Sequence, residues 1–151
     1  MADHTTTGPI VREAQPEDRD DVARTFAVLD ADLPPGDPRL AAAAEDFERH
    51  GGVTLVAELD GRVIGALSYF IRRFGPGDAG PSLWIDSLAV DDRYRRRGAG
   101  RALMDETLRR ARAAGCTTLI VHTHEEMAAA LALYTSVGFE RHGLYLHATL
   151  A

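Results

Sequence analysis

The chain has 151 residues, 45% of them hydrophobic and 26% charged, which suits one domain with a sizeable core. No apolar run approaches the roughly 18 residues of a membrane-spanning helix, and Met1 to Gly8 has neither the basic nor the apolar part of a signal peptide. The lone Cys116 excludes an internal disulfide; in its apolar segment it reads as a reduced core residue, and a cytoplasmic protein is expected.

The net charge of −6 conceals an asymmetry. Residues 1–50 hold twelve acids and five arginines, whereas residues 93–112 hold eight arginines against Asp105 and Glu106. An acidic half and a basic loop suit a polyanionic cofactor at one place and a cation at another. Nucleic acid is not expected as a partner, because the basic stretch has only Tyr94 as an aromatic and the pI of about 5.4 is acidic.

In chain order, residues 1–8 read as a disordered lead and 9–151 as a single domain without internal repeats. Ile10 to Ala14 reads as a short strand stopped by Pro16. Glu17 and Asp18 open a helix with Val22, Phe26 and Leu29 on one face, broken by Leu33 to Pro38. A second helix, 39–50, turns Leu40, Ala43, Ala44 and Phe47 inward and ends at Gly51-Gly52. Val53 to Glu58 and Val63 to Ile71 form a hairpin through Asp60-Gly61. A flexible loop, 74–81, leads into a strand over Leu83 to Val90. A helix over 99–113, with Gly115 as its C′ residue, a strand over 117–122 and a helix over 126–136 follow, and Phe139 to Leu150 supplies one or two last strands. The sum is α/β: a mixed, mostly antiparallel central sheet flanked by helices.

The most informative stretch is Leu88 to Met104. A strand runs into a turn dense in arginine and glycine, and a helix leaves it. Gly98 and Gly100 let backbone approach a phosphate without a Cβ in the way, and the free N–H groups of the first helical turn point at it. Arg93, Arg95, Arg96, Arg97 and Arg101 sit badly for the helix dipole unless an anion binds; the alternative is a solvated basic turn. Leu103 excludes the third glycine of G-x-G-x-x-G, and no Gly-Lys-Ser/Thr follows for a P-loop.

Arg95-Arg96-Arg97-Gly98-Ala99-Gly100 resembles the R/Q-x-x-G-x-G/A signature of the GNAT family of N-acetyltransferases, and Leu88-Ala89-Val90 resembles the strand before it. The likeness extends over roughly Ile10 to Leu150 and to the order of elements. It implies acetyl-CoA as co-substrate, no metal, and a pyrophosphate site on the amides of residues 95–101, with Arg95, Arg96, Arg97, Gly98, Ala99, Gly100 and Arg101 as cofactor-binding positions. It further implies that the Leu88 amide polarises the acetyl carbonyl and that Ala89 and Val90 lie along the pantetheine arm. Leu133-Tyr134-Thr135-Ser136-Val137-Gly138-Phe139 resembles the family's C-terminal motif, which implies Tyr134 as general acid towards the leaving thiolate; on its own pattern Tyr134 is also a plain core residue. Met127 stands where the family often has asparagine. Glu125 or Glu126 is either a substitute or a helix N-terminal acid.

By the period of two, Asp86 shares the face of Leu88 and is expected either to take the amine proton or to bind or be solvated near the acceptor. His122 and His124 lack a third ligand at metal spacing and read as structural or acceptor-pocket residues, as do His142 and His147. All seventeen basic residues are arginine, so no side-chain amine is available for self-acetylation. The expectation is an acetyl-CoA-dependent N-acetyltransferase acting by direct attack of a primary amine, small molecule or peptide, with a non-catalytic acyl-CoA-binding module as the alternative. A homodimer fits the family habit. Acceptor choice is expected from 30–38, 72–80 and 142–145, where Asp30, Asp32 and Asp37 favour a cation.

Overall fold

The computed structural model describes residues 8–29, 33–34, 36–73, 79–144 and 146–150. The expected disordered lead, apart from Gly8, and most of the expected flexible loop, at 74–78, lie outside them, as do Asp30 and Asp32. The elements are β1 (Ile10–Glu13), α1 (Arg19–Phe26), α2 (Pro38–Arg49), β2 (Val53–Leu59), β3 (Arg62–Arg72), β4 (Ser82–Val90), α3 (Ala99–Ala113), β5 (Thr118–Val121) and α4 (Ala128–Ser136). They form one sheet in the order β1-β2-β3-β4-β5. The first three ladders are antiparallel and the β4–β5 ladder is parallel. The expected mixed α/β architecture is present.

β3 lies at the centre of the sheet and is covered on both faces, which is why Val63 to Tyr69 is buried without a break. Facing α3, the core holds Leu55, Leu67, Leu83, Leu103 and Met104, all with no exposure, and Tyr134 of α4 joins it. On the other face a smaller core of Val56, Val63 and Ala66 meets Val22 and Phe26 of α1. The hairpin between β2 and β3 turns with Asp60 at φ 51° and Gly61 at φ 75°, the two positive values that a two-residue turn matching strand twist requires.

Polar groups fix the starts of the helices. Asp37 caps α2 by accepting from the Arg39 amide at 2.9 Å, with Pro38 at the first helical position. Asp18, buried before α1, accepts from the Gln15 amide at 2.7 Å and takes two bonds from the Arg12 guanidinium, at 2.6 and 3.0 Å. Arg12 also holds Glu58 of β2, so one guanidinium ties β1, β2 and the entry to α1.

Three expectations change. Leu29 falls in a 3-10 turn beyond α1 and is exposed. Leu40, Ala43, Ala44 and Phe47 of α2 do turn towards the sheet, yet none is buried; they line a cavity instead. No strand forms over the described part of 139–150, where Leu144, Leu146 and Leu150 are more than four-fifths exposed. Their alternation meets the pattern for a strand, but a strand also needs a partner backbone and a core to cover.

Candidate acyl-transfer site

The site is organised by an irregularity in β4. Its ladder with β3 pairs Ser87 with Ser68 and Leu88 with Leu67, then jumps to Ile85 with Tyr69, leaving Asp86 without an opposite residue. This is a β-bulge, and it reverses the face of everything before it. Leu88 packs against the α3-side core, whereas Asp86 and Ser87 line the cavity beneath α1 and α2. The expectation that Asp86 and Leu88 share a face therefore fails, because strict alternation does not survive an inserted residue. Asp86 is exposed and accepts a hydrogen bond from Ser87 Oγ at 3.2 Å.

The parallel ladder ends at the same place. β4 pairs with β5 from Ser82–Thr118 to Ile85–Val121 and no further, so among the described residues no strand pairs with the β5 side of residues 86–90. Leu88 and Val90 thus offer backbone along an open edge, whereas Ala89, in register with Asp91 whose amide donates to the Ile64 carbonyl, turns its backbone to β3. Thr123, two residues past the end of the ladder, has a buried hydroxyl with no partner among the described residues.

Beyond Val90 the chain makes a 3-10 turn, Asp92–Tyr94, and enters α3. Gly98, the residue before the helix, has φ 81°, and a Cβ built there would meet nothing within 4 Å. Its glycine is a backbone requirement that also leaves the approach to the helix start open. Gly100 is required for packing: a Cβ there would lie 3.1 Å from Leu133 Cδ2 of α4. Arg96 also has a positive φ, 62°.

Of the five arginines, three are taken by local acids. Arg93 forks onto Asp91 at 3.2 and 2.9 Å, which holds that carboxylate down at about 2. Arg95 meets Asp92 at 2.6 Å and Arg101 meets Asp105 at 3.1 Å, both on the surface, where such pairs contribute about 0–1 kcal/mol. Among the described residues Arg96 and Arg97 pair with no acid. The charge free for an anion is thus smaller than a count of the loop suggests, and it is concentrated at the two positions just before Gly98.

Tyr134 is 6% exposed, with its ring 5.6 Å from that of Phe139. Burial pushes its phenol above the ordinary tyrosine value, so it stays protonated. The hydroxyl bonds to no described residue, and it is not among the fully buried orphan atoms, so its tip reaches open space. Met127 immediately precedes α4 and is partly exposed; Glu125 pairs with Arg141 at 2.9 Å.

The cavity on the Asp86 side has a volume of about 930 Å³ and lies between α1, α2 and the sheet. Sequence reasoning missed it and missed Ser68 and Ser87; a serine inside the apolar run of β3 was the available signal. His122 packs edge-on to Trp84 at 5.8 Å, and no cluster of three metal-binding side chains occurs among the described residues. Cys116 is half-buried, with its thiol pushed up by burial, which makes it a poor nucleophile.

A model of the acetyltransferase (GNAT) family matches residues 19–139, and the chain belongs to that family. An L-2,4-diaminobutyric acid acetyltransferase of Nocardia farcinica is 31% identical over 90 residues, 60% of this chain and 45% of the relative. A ribosomal protein bS18-alanine N-acetyltransferase of Escherichia coli K12 is 42% identical over 53 residues, 35% of this chain and 36% of the relative. In both, the match spans less than half of the relative's length. Among solved structures, the aminoglycoside N-acetyltransferase AAC(6')-Iy in complex with CoA superposes with a TM-score of 0.82 at 19% identity, covering 99% of each chain, a likeness of fold.

Proposed function

We propose that this chain is an acetyl-CoA-dependent N-acetyltransferase, one domain over residues 9–151 acting in the cytoplasm, which acetylates a primary amine by direct attack. The observation that carries the proposal is the coincidence at one point of β4: the bulge turns Asp86 into a cavity just where the ladder to β5 stops and leaves Leu88 and Val90 with an open edge. The amides of Gly98, Ala99 and Gly100 with Arg96 and Arg97 are the holders of the pyrophosphate, with Arg95 and Arg101 at its border, and Leu88, Ala89 and Val90 run beside the pantetheine arm.

Bound acetyl-CoA supplies an activated thioester carbonyl. The Leu88 amide donates to the oxygen on which charge develops, a contribution on the order of 3 kcal/mol for a well-placed donor. An alkylammonium ion near pKa 10 must lose a proton before its nitrogen can form the new C–N bond. Asp86 takes that proton, directly or through water. As the C–S bond breaks, Tyr134 gives its proton to the sulfur, a role that its burial and protonation support, and the second nitrogen proton of the tetrahedral adduct leaves through water and restores the phenol. The exposed leucines of 144–150 and the position of β5 at the edge of the sheet support a homodimer.

The test is thiol release from acetyl-CoA across a panel of primary amines, paired with calorimetry of CoA binding. Micromolar CoA binding with amine-dependent thiol release is expected. CoA binding without turnover on any amine would leave the non-catalytic acyl-CoA module, and absence of both would overturn the proposal.

A further inference from the structure

The cavity that receives Asp86 has a polar floor and an apolar roof. Thr54 of β2 pairs with Ser68 of β3, and Ser68 pairs with Ser87 of β4, so three hydroxyl residues form one row across three neighbouring strands, and all three line the cavity. Asp86 stands at the β4 end of that row. At a spacing of about 4.8 Å per strand the row is roughly 10 Å long. Ser68 is 4% exposed and sits in the apolar middle of β3; its hydroxyl makes no hydrogen bond with a described residue and is not sealed from open space. A hydroxyl in the middle of a sheet, without a protein partner and facing a cavity, is available to a ligand that enters it.

The roof is different in kind. Val22, Phe26, Leu40 and Phe47 face the floor from α1 and α2. Most charged residues at the rim are occupied: Asp37 holds Arg39, Glu48 faces Arg19 and Asp46 faces Arg49, while Asp20, at the exposed start of α1, also lines the cavity and pairs with no described residue. Asp86 is bound only by the neutral Ser87 hydroxyl. Asp86 at one end of the hydroxyl row, apolar cover along its length and a few hydroxyls beneath match a ligand with a cationic head and an apolar body. A sugar bearing many amines and hydroxyls would leave most of its polar groups facing hydrocarbon, each at a desolvation cost.

We infer that the acceptor is a monoamine with an elongated apolar body, about 10 Å long, whose amine lies at Asp86 and whose body runs under α1 and α2 along the row Ser87–Ser68–Thr54. This rests on the proposed acetyl transfer for its chemistry, but the seating of the amine stands without it.

The experiment uses the full chain and n-alkylamines from propylamine to decylamine, with kanamycin as the polyhydroxylated comparison. Binding is followed by calorimetry in the presence of CoA and in its absence, and turnover by thiol release. Affinity, and kcat/KM where turnover exists, should rise about threefold to fourfold per methylene until the cavity is filled. Kanamycin should be the poorer ligand at every concentration. Leu40→Gln places an amide in the roof at a partly exposed site, so its fold should survive; it should lower octylamine affinity at least tenfold and leave propylamine within twofold. Ser68→Ala serves as a second variant, with a smaller loss confined to ligands carrying an acceptor atom mid-chain, such as an ether-containing amine.

An affinity flat in chain length, or kanamycin favoured over octylamine, would overturn the inference while leaving acetyl transfer intact. Chain-length-dependent binding that Leu40→Gln abolishes, in a protein that neither binds CoA nor releases thiol, would uphold the cavity assignment and reject the transfer reaction.

Discussion

Asp86 and Leu88, two residues apart on β4, face opposite sides of the sheet. A single extra residue between the Ile85–Tyr69 and Ser87–Ser68 pairs achieves this, and it separates the side that presents a carboxylate to the acceptor cavity from the side that packs Leu88 into the core with Tyr134. Bulges beside active sites commonly re-aim a side chain in this way. The proton acceptor and the proton donor of the proposed reaction thereby come from opposite faces of the sheet.

The Asp86 carboxylate can be separated from simple cation binding by its pH behaviour. If it takes the amine proton, kcat/KM should rise with pH through one ionisation that Asp86→Asn removes, and the variant should recover at alkaline pH, where the amine is already neutral. Profiles of the same shape, with only KM displaced, would leave Asp86 as a binding group.

Tyr134→Phe removes one hydroxyl that has no hydrogen-bond partner among the described residues, so stability and CoA affinity should change little. Turnover should fall roughly 100-fold. Because burial raises the phenol, the wild-type alkaline limb should lie above the ordinary tyrosine value and vanish in the variant. Single-turnover rates equal in the two proteins would reject the assignment.

Gly98 and Gly100 should respond differently although they stand two residues apart in one motif. Gly100→Val drives side-chain atoms into Leu133 Cδ2, already 3.1 Å from a bare Cβ, and should cost about 1–3 kcal/mol in denaturant unfolding. Gly98→Ala has room for its methyl but carries the strain of φ 81°, at a cost of about 1 kcal/mol. CoA affinity should drop more for Gly98→Val than stability does, since its side chain projects into the open approach to the helix start. Unchanged CoA affinity in folded Gly98→Val would move the pyrophosphate elsewhere.

The Arg12–Asp18–Glu58 cluster predicts acid sensitivity. Hydrogen bonds from Arg12 hold Asp18 below the ordinary aspartate range. Its contribution is complete above the unfolded value near 4 and is lost as pH falls through the lower folded value. Arg12 is about a third exposed, so screening reduces the effect. Asp18→Asn should destabilise by about 1–2 kcal/mol at pH 7 and flatten the loss of stability as pH falls below about 4, followed by urea unfolding at each pH. Parallel curves for the two proteins would remove Asp18 from the acid response.

Much of this was legible from residues close in sequence. The hairpin at Asp60-Gly61, the extent of α3 and the stop at Gly115 follow from local backbone preference, which needs no distant partner. Gly98 and the arginines before it mark the proposed anion site for the same reason. The charge available there was overstated, because the acids that absorb Arg93, Arg95 and Arg101 act through side-chain geometry that composition does not show.

What only the tertiary structure decided depends on contacts between distant segments. The bulge at Asp86 is a mismatch between β3 and β4 that neither strand encodes alone, and it overturns the face that alternation assigns. The cavity exists because α2 stands off the sheet beside α1, over a row of hydroxyls drawn from three strands. The alternating leucines of 144–150 form no strand among the described residues, since pattern supplies an apolar side but not the backbone to bond with. Sequence by itself determined which backbone turns and helix ends could form and which family the motif resembles; register, facing and enclosed space were decided by long-range pairing, where one added residue reverses a side chain's direction.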